Sequence, residues 1–191
     1  HSNDRGDGMN YLNLLHKTWV LSRLVIEMDH YPKAYERFFV NTWVEGAMRY
    51  FTDRDFEVKT HDGKTYGYGR SVWALIDTDS RQPTDILLIH DGLINQYIDT
   101  DTPCPIAKSS RVKMSPDAEY VRTVQTCYSD VDINGHINSV KYIEHIIDLW
   151  PVDWFRSHRI ARFEIAYVAE SHGGDNLLFY REKTADNEWC V

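Results

Sequence analysis

The chain has 191 residues, of which 42% are hydrophobic and 13% aromatic, and its formal net charge is -8. A chain of this length can bury roughly 70% of its unfolded surface, enough for one substantial domain or two small ones. The negative charge argues against a general nucleic-acid surface, because binding phosphates needs clustered Lys and Arg. The sequence contains no run of about 18 apolar residues, so we expect no membrane-spanning helix.

The amino terminus and the cysteines bear on location and redox state. The opening HSNDRGDGMN lacks the basic region and the apolar stretch of a signal peptide, so we expect a cytoplasmic protein. Cys104, Cys127 and Cys190 are odd in number, lie far apart and form no CxxC pair. The sequence therefore predicts reduced thiols, with neither a disulfide framework nor a thiolate zinc site. No nucleotide-binding loop or HExxH zinc motif appears either, so we expect neither a cofactor nor a metal.

The first half of the chain predicts antiparallel strands. Residues 17–28 and 36–44 are rich in β-branched and aromatic side chains and lack a helical period. A strand at 51–58 reaches the turn signal HDGK at 61–64, and residues 65–77 then return alongside it. This pattern predicts a long hairpin.

Two less regular segments follow the hairpin. Residues 85–98 predict a short helix or an irregular segment, and residues 99–117 hold half of the six prolines. We interpret the proline-rich stretch as a linker. The predicted organisation is an N-terminal unit at 1–98, a linker at 99–117 and a C-terminal unit at 118–191.

The second unit is predicted to begin with a strand at 119–128 that leads through a loop into a helix. Apolar residues recur in this helix at three- and four-residue spacing, at Val140, Ile143, Ile147 and Trp150. Pro151 ends the pattern. Three further strands are predicted, at 159–169, 176–182 and 189–191.

The loop sequence DVDINGHINSVKY, at 130–142, fits part of a calcium-binding pattern. That pattern requires oxygen ligands at alternating positions, a Gly at the sixth position and a bidentate Glu at the twelfth. The residues that comply are Asp130, Asp132, Asn134, Gly135 and Ile137. The twelfth residue is Lys141, whose ammonium would replace two carboxylate oxygens, and a strand rather than a helix precedes the loop. Both features disfavour calcium.

The same loop also has the parts of an active site. Asp132, Asn134 and His136 occupy every second position, and in an extended stretch their side chains would point to one side. The following helix presents backbone N–H groups that favour a developing negative charge. Hydrolysis of an acyl thioester needs a base or nucleophile and such oxyanion donors. The alternative left open is that Asp132 and Asn134 only shape an Asx-type turn and cap the helix.

The segment YSDVDINGHINSVKYIEHI resembles the signature of the acyl-acyl carrier protein thioesterases. Their second hotdog repeat carries an Asp-x-Asn-x-His-x-Asn run ahead of a Lys-Tyr-containing helix. The segments WVLSRLVIEMDHYP, NTWVEG, FTDRDFEV and RSVWALID resemble successive strands of the first repeat. The resemblance implies an α+β tandem hotdog fold, in which each repeat is a curved antiparallel sheet wrapped around a central helix. On this comparison the first repeat is incomplete at its N-terminus and the second lacks its last strand.

The resemblance also implies a function, the hydrolysis of fatty acyl-acyl carrier protein to free fatty acid, which terminates or diverts fatty acid synthesis. AYVAESHGGD resembles the strand end that supplies a catalytic glutamate, so the implied catalytic set is Asp132, Asn134, His136 and Glu170, with the acyl chain mainly in the first repeat. Plant members have a cysteine after the glutamate, where this chain has Ser171, so a thiol nucleophile does not carry over. Water activation and direct carboxylate attack both remain open, and Glu170 could instead be a solvated surface charge.

The implied partner is an acyl carrier protein, which is strongly acidic and needs basic residues for docking. The candidate cations are Lys108, Arg111, Lys113, Arg156, Arg159 and Arg162. Scattered cations are often merely solvated. A homodimer also stays open, although a tandem chain can itself supply the pairing that single hotdog units obtain by dimerising. Rival functions are a hotdog acyl-CoA thioesterase, a hydroxyacyl dehydratase and a non-catalytic regulator that binds acyl thioesters.

Overall fold

The structure is a computed structural model that describes residues 8–111 and 113–191. Its strands are β1 (Lys17–Met28), β2 (Phe38–Ala47), β3 (Phe51–Thr60), β4 (Thr65–Asp77), β5 (Glu119–Gln125), β6 (Arg162–Ala166), β7 (Asn176–Ala185) and β8 (Glu188–Cys190). Its α-helices are α1 (Met9–Leu14), α2 (Ser139–Ile147) and α3 (Val152–Ser157). Two 3-10 segments lie at Ile86–Tyr97 and Tyr128–Asp130. None of the described helices has the length and apolar character needed to cross a membrane.

The first unit is built on a five-stranded antiparallel sheet. It comprises the described residues up to Ser109 together with Ile160–Ala166. The strands lie in the order β2-β3-β4-β1-β6. β3 and β4 form the predicted hairpin, and its turn places Gly63 at a φ of 89°. Glycine adopts this conformation without the steric cost that a Cβ would add.

An apolar cluster holds the 3-10 segment against this sheet. The buried members are Leu12, Val44, Leu75, Ile86, Ile89 and Ile94. They come from α1, β2, β4 and the 3-10 segment. That segment is interrupted where His90, Asp91 and Gly92 have positive φ angles. The prediction of a short helix or irregular segment at 85–98 is therefore confirmed.

The second unit comprises Ser110–Arg159 and Tyr167–Val191. Its strands form a three-stranded antiparallel sheet in the order β5-β7-β8. α2 lies where the apolar spacing predicts a helix, and its apolar positions are only partly buried. The helix ends at Ile147, so Trp150 and Pro151 follow its C-terminus.

The position of β6 differs from the organisation predicted along the chain. β6 pairs with β1, with Glu27 opposite Arg162 and Val25 opposite Glu164. It therefore lies in the first unit's sheet, although the sequence analysis assigned all of 118–191 to the second unit. Strand pairing between distant segments cannot be deduced from the local pattern of either one. The domain bounds 1–98, 99–117 and 118–191 stay a prediction, and the described part of 99–117 forms no helix or strand.

Candidate active site

The predicted site residues lie in a tight loop of the second unit. The Asp132 N–H donates to the His136 carbonyl at 2.8 Å, and the Gly135 N–H donates to the Asp132 carbonyl at 3.1 Å. Gly135 has a φ of 82°, which suits a tight turn. The expectation that 132–136 is extended was therefore wrong, because local donors close the backbone into a turn.

The Asp132 carboxylate stabilises this turn. Oδ1 accepts the backbone N–H of Asn134 at 2.8 Å and that of His136 at 3.3 Å. Oδ2 lies 3.4 Å from Asn134 Nδ2. These contacts form the Asx-type turn that the sequence analysis left open as an alternative. In this geometry Asp132 shapes the loop and orients the Asn134 carboxamide, which remains exposed.

The structure brings His136 and Glu170 together. His136 Nε2 lies 3.4 Å from Glu170 Oε2, with side-chain exposures of 24% and 36%. The approach follows from backbone pairing of the adjacent residues, since the Ile137 N–H donates to the Ser171 carbonyl at 2.9 Å. The distance exceeds that of an ordinary hydrogen bond. Catalytic contacts are often long in unliganded sites and shorten when substrate binds.

Tyr167 fixes the segment that leads to Glu170. Its hydroxyl donates to the carbonyl of Ser139 at 2.9 Å, and its ring meets that of Tyr142 edge-on with centroids 5.9 Å apart. Burial raises the pKa of Tyr167 to about 12, so the phenol keeps its proton. The start of α2 is thereby tied to the chain that carries Glu170.

The first amides of α2 are largely engaged by the helix cap. The Asn138 side chain accepts the Val140 N–H at 2.9 Å, and the Asn138 carbonyl accepts the Lys141 N–H at 2.9 Å. The sequence had suggested the backbone N–H groups at the start of this helix as oxyanion donors, without naming which of them. Among the predicted residues the exposed carboxamide of Asn134 is the better candidate donor. The side chain of Lys141 pairs with Glu144 at 2.7 Å.

Two features of the site escaped sequence reasoning. The ring of His172 lies 5.1 Å from that of His136, measured between centroids. The only signal for it was its position two residues after Glu170. The buried carboxylate of Asp130 faces His145 Nε2 at 3.2 Å. In the sequence, Asp130 stands out only as the first ligand position of the calcium pattern.

Thiol chemistry finds no support in the geometry. Cys104, Cys127 and Cys190 are free thiols. Burial raises the pKa of both Cys104 and Cys190 above the ordinary value, which disfavours the reactive thiolate. The described residues around His136 instead include a carboxylate and a second imidazole. The arrangement suits proton transfer between a carboxylate and an imidazole.

Ion pairs within their own unit engage Lys108, Arg156 and Arg162 among the candidate docking cations. Lys108 pairs with Glu45 at 2.9 Å, and Arg162 pairs with Glu27 at 2.5 Å. Arg156 pairs at 2.9 Å with an aspartate one turn away in α3. The other candidates are Arg111, Lys113 and Arg159. An acidic partner that used Lys108 or Arg162 would have to compete with these carboxylates.

Comparison with known proteins agrees with the geometry. The acyl-ACP thioesterase N-terminal domain matches residues 1–95, and the acyl-ACP thioesterase C-terminal domain matches residues 114–190. An acyl-ACP thioesterase from Bacteroides thetaiotaomicron VPI-5482, known as a crystal structure, is 51% identical. The match covers 99% of this chain and 75% of that one, with a TM-score of 0.90.

Plant proteins extend the likeness. The chloroplastic palmitoyl-acyl carrier protein thioesterase of Arabidopsis thaliana is 30% identical over 164 residues, which are 84% of this chain and 40% of the plant protein. The 12:0-ACP thioesterase from Umbellularia californica shares the fold at 22% identity and a TM-score of 0.80, over 97% of this chain and 75% of that one. The chain thus spans about two fifths of the length of the curated plant relatives it matches. These likenesses confirm the α+β tandem hotdog fold, and the chain belongs to the acyl-ACP thioesterase family.

Proposed function

We propose that this protein hydrolyses the thioester of fatty acyl-acyl carrier protein and releases a free fatty acid. The observation that carries the proposal is the approach of His136 Nε2 to Glu170 Oε2 at 3.4 Å. The pair lies in the unit matched by the acyl-ACP thioesterase C-terminal domain. A carboxylate and an imidazole beside an exposed amide supply the groups that thioester hydrolysis requires.

The proposed reaction uses water as the nucleophile. Glu170, paired with His136, accepts a proton from water as the oxygen adds to the thioester carbonyl carbon. The exposed Asn134 carboxamide donates to the resulting oxyanion. Glu170 passes the proton it accepted to His136 across their contact. When the carbon–sulfur bond breaks, His136 donates the proton to the departing thiolate, so that the free thiol and the fatty acid are released. Asp132 holds the loop that presents Asn134 and His136.

Direct attack by a carboxylate is the competing route. It would form an acyl-enzyme anhydride before water enters. Rapid quenching followed by intact-mass measurement distinguishes the two routes. An acyl adduct that appears and decays at the rate of turnover would replace the water route with direct attack.

The decisive experiment measures free fatty acid released from acyl-acyl carrier proteins of varied chain length. The full chain is compared with His136→Ala and with a matched control, His61→Ala, which changes an exposed histidine in the turn between β3 and β4. We expect release by the unaltered protein and the control but not by His136→Ala. Release that survives in His136→Ala would contradict the assigned role of the imidazole.

The same experiment tests the rival functions. Equal or faster turnover of the matching acyl-coenzyme A esters would favour an acyl-CoA thioesterase. An enoyl product from a hydroxyacyl substrate would indicate a dehydratase. Binding of the acyl thioester without any product would favour a regulator. The clustering of His136 with Glu170 supports hydrolysis, because ligand binding alone needs no base.

The proposal includes an acidic carrier protein as partner and a cytoplasmic location. Support for the partner comes from the names of the relatives, which include acyl-ACP thioesterases of bacterial and plant origin. Charge reversal at Arg111 and Lys113, two exposed candidate cations, should raise KM for the carrier-linked substrate and leave hydrolysis of a short pantetheine thioester unchanged. Cell fractionation tests the location, and light scattering tests for a homodimer.

A further inference from the structure

A buried carboxylate outside the proposed catalytic set joins two parts of the second unit. Asp130 is 4% exposed and ends the 3-10 turn at Tyr128–Asp130. Its Oδ2 accepts the backbone N–H of Cys127 at 2.8 Å and faces the thiol of the same residue at 3.3 Å. Its Oδ1 lies 3.2 Å from His145 Nε2. One side chain therefore connects the chain after β5 with the middle of α2.

The backbone of Asp130 closes the catalytic loop. Its carbonyl accepts the N–H of Asn138 at 2.8 Å, and Asn138 is the N-cap of α2. The next residue, Val131, forms a bridge with Ile137. Both ends of the loop that carries His136 thus meet at Asp130.

His145 fixes the other end of this contact. Its side chain is 16% exposed, and its ring packs beside that of Phe179 in β7, with centroids 6.3 Å apart. His145 therefore has little room to move away from Asp130. A buried carboxylate and imidazole that satisfy each other hold their surroundings in one arrangement, because separating them would leave a buried polar group without a partner.

We propose that Asp130 and His145 form a positioning pair that holds the loop so that His136 meets Glu170. The inference rests on the proposed function, since it assigns the pair a role in that reaction. Neither residue contacts the reacting atoms in this role. Because misplacing a catalytic group by about 1 Å can cost roughly 100-fold in rate, loosening the pair should lower kcat much more than it raises KM.

The first test compares Asp130→Asn with Asp148→Asn. Asp148 follows α2, is 67% exposed and lies 3.9 Å from Arg122, so its substitution is the same chemical change outside the pair. We expect Asp130→Asn to lower kcat by about 10- to 100-fold, with KM changed less than about twofold. Asp148→Asn should change neither. Circular dichroism and thermal unfolding establish the folded fraction to which each kcat refers.

The second test uses the donor at position 145. His145→Gln keeps a side-chain N–H donor and should retain kcat within about threefold, whereas His145→Leu should lose as much as Asp130→Asn. The double variant of Asp130→Asn with His145→Leu should be no slower than the slower single variant, because one contact is lost in each case. If the double variant loses kcat by the product of the two single losses, the pairing is overturned. A kcat for folded Asp130→Asn within twofold of the unaltered protein would overturn it as well.

A readout independent of turnover separates this inference from the proposed function. The chain has nine histidines, and the ring nitrogen signals of His136 are assigned in labelled protein by their loss in His136→Ala. Asp130→Asn should shift these signals and Asp148→Asn should not. If no acyl-acyl carrier protein is hydrolysed, the thioesterase proposal fails while this comparison still tests the positioning. Unchanged His136 signals in Asp130→Asn would overturn the proposed positioning role of Asp130 and His145.

Discussion

Among the described residues each unit buries one aspartate, and the pKa values of the two carboxylates are shifted in opposite directions. Asp55 in β3 is 1% exposed and Asp130 is 4% exposed. Burial raises the pKa of Asp55 to about 6. The backbone N–H of Cys127 lowers the pKa of Asp130, and the Cys127 thiol and His145 add to that effect against the opposing effect of burial. The pKa values of these two solvent-inaccessible carboxylates thus shift in opposite directions.

Hydrogen bonds explain the difference. Within the described residues neither carboxylate oxygen of Asp55 accepts a hydrogen bond, although Arg70 Nη1 lies 3.3 Å away. Asp130 accepts the Cys127 N–H and contacts the thiol and His145. Donors to the ionised form favour the charge, whereas desolvation opposes it. At Asp130 the donors outweigh desolvation, whereas at Asp55 desolvation outweighs the attraction of Arg70.

The two carboxylates also belong to networks with different tasks. Beside Asp55, Arg70 donates to Glu45 at 2.9 Å and to the carbonyls of Cys104 at 2.5 Å and Ile106 at 2.9 Å. This network holds the first part of the predicted linker on the sheet. The adjoining cleft of ≈ 230 Å³ is lined by charged side chains together with two valines and two serines. Asp130 instead closes the loop of the candidate active site.

The largest expected contrast concerns catalysis. Glu170→Gln removes the proposed proton acceptor and should lower kcat by about 1000-fold, within the usual range for general bases. Asp55→Asn should leave kcat within about threefold, because Asp55 belongs to the network that holds the linker. Steady-state hydrolysis of an acyl-acyl carrier protein checks both. Retained activity in Glu170→Gln would identify Glu170 as a solvated surface charge.

The pH dependence of stability separates the two carboxylates next. The pKa of Asp55 is about 6 in the folded protein and ordinarily 3.8, so the folded state holds this proton more tightly between those values. The stability from Asp55 is therefore fully present below pH 4 and is lost as pH rises through 6, by up to about 3 kcal/mol. Urea unfolding from pH 4 to 7 should show that Asp55→Asn lacks this loss. For Asp130, whose pKa is lowered, stability should instead be lost as pH falls below the ordinary value.

The same substitution at the two aspartates should have unequal effects at pH 7. Asp130→Asn weakens the contacts to Cys127 and His145 and should lower the free energy of unfolding by about 2 kcal/mol. Asp55→Asn removes a desolvated charge while Arg70 keeps Glu45, so it should raise the free energy of unfolding at pH 7, by up to about 3 kcal/mol. Urea denaturation followed by tryptophan fluorescence measures both. If Asp55→Asn lowers the free energy of unfolding more than Asp130→Asn does, the ion pair of Asp55 with Arg70 outweighs the desolvation of its carboxylate.

The smallest expected effect concerns the linker. Arg70→Lys keeps the positive charge but loses the planar guanidinium that reaches two carbonyls. It should lower the free energy of unfolding by about 1 kcal/mol. Amide exchange in residues 104–109 should become faster. The control is Lys108→Ala, since Lys108 is 63% exposed and such surface pairs contribute about 0.5 kcal/mol. Equal exchange in both variants would show that Arg70 does not hold the linker.

Most of the local elements could be predicted from the sequence. The strand at 17–28 and the hairpin strand at 65–77 match β1 and β4 in their bounds. The predicted strand at 159–169 is shorter in the structure, at Arg162–Ala166. Alternation, helical spacing and turn residues are local properties, so a single segment reveals them. Where a strand ends depends on how far its partner extends.

The site was predicted less completely. The motif identified the loop and Glu170 as candidates, and the structure brings His136 and Glu170 within 3.4 Å. The motif did not show that Asp132 would bond to the amides of Asn134 and His136. The contact between Asp130 and His145 had no sequence signal, because it joins a turn to the face of a helix.

The sequence by itself determined the fold class, the resemblance to a thioesterase family and the candidate residues for the chemistry. Only the tertiary structure decided that β6 joins the sheet of β1, and that the Ile137–Ser171 backbone pair sets His136 beside Glu170. It also decided which buried carboxylate is stabilised as an anion. The physical reason is the separation along the chain over which each effect acts. Propensity and spacing act over a few residues, whereas strand pairing and desolvation depend on residues far apart in the chain.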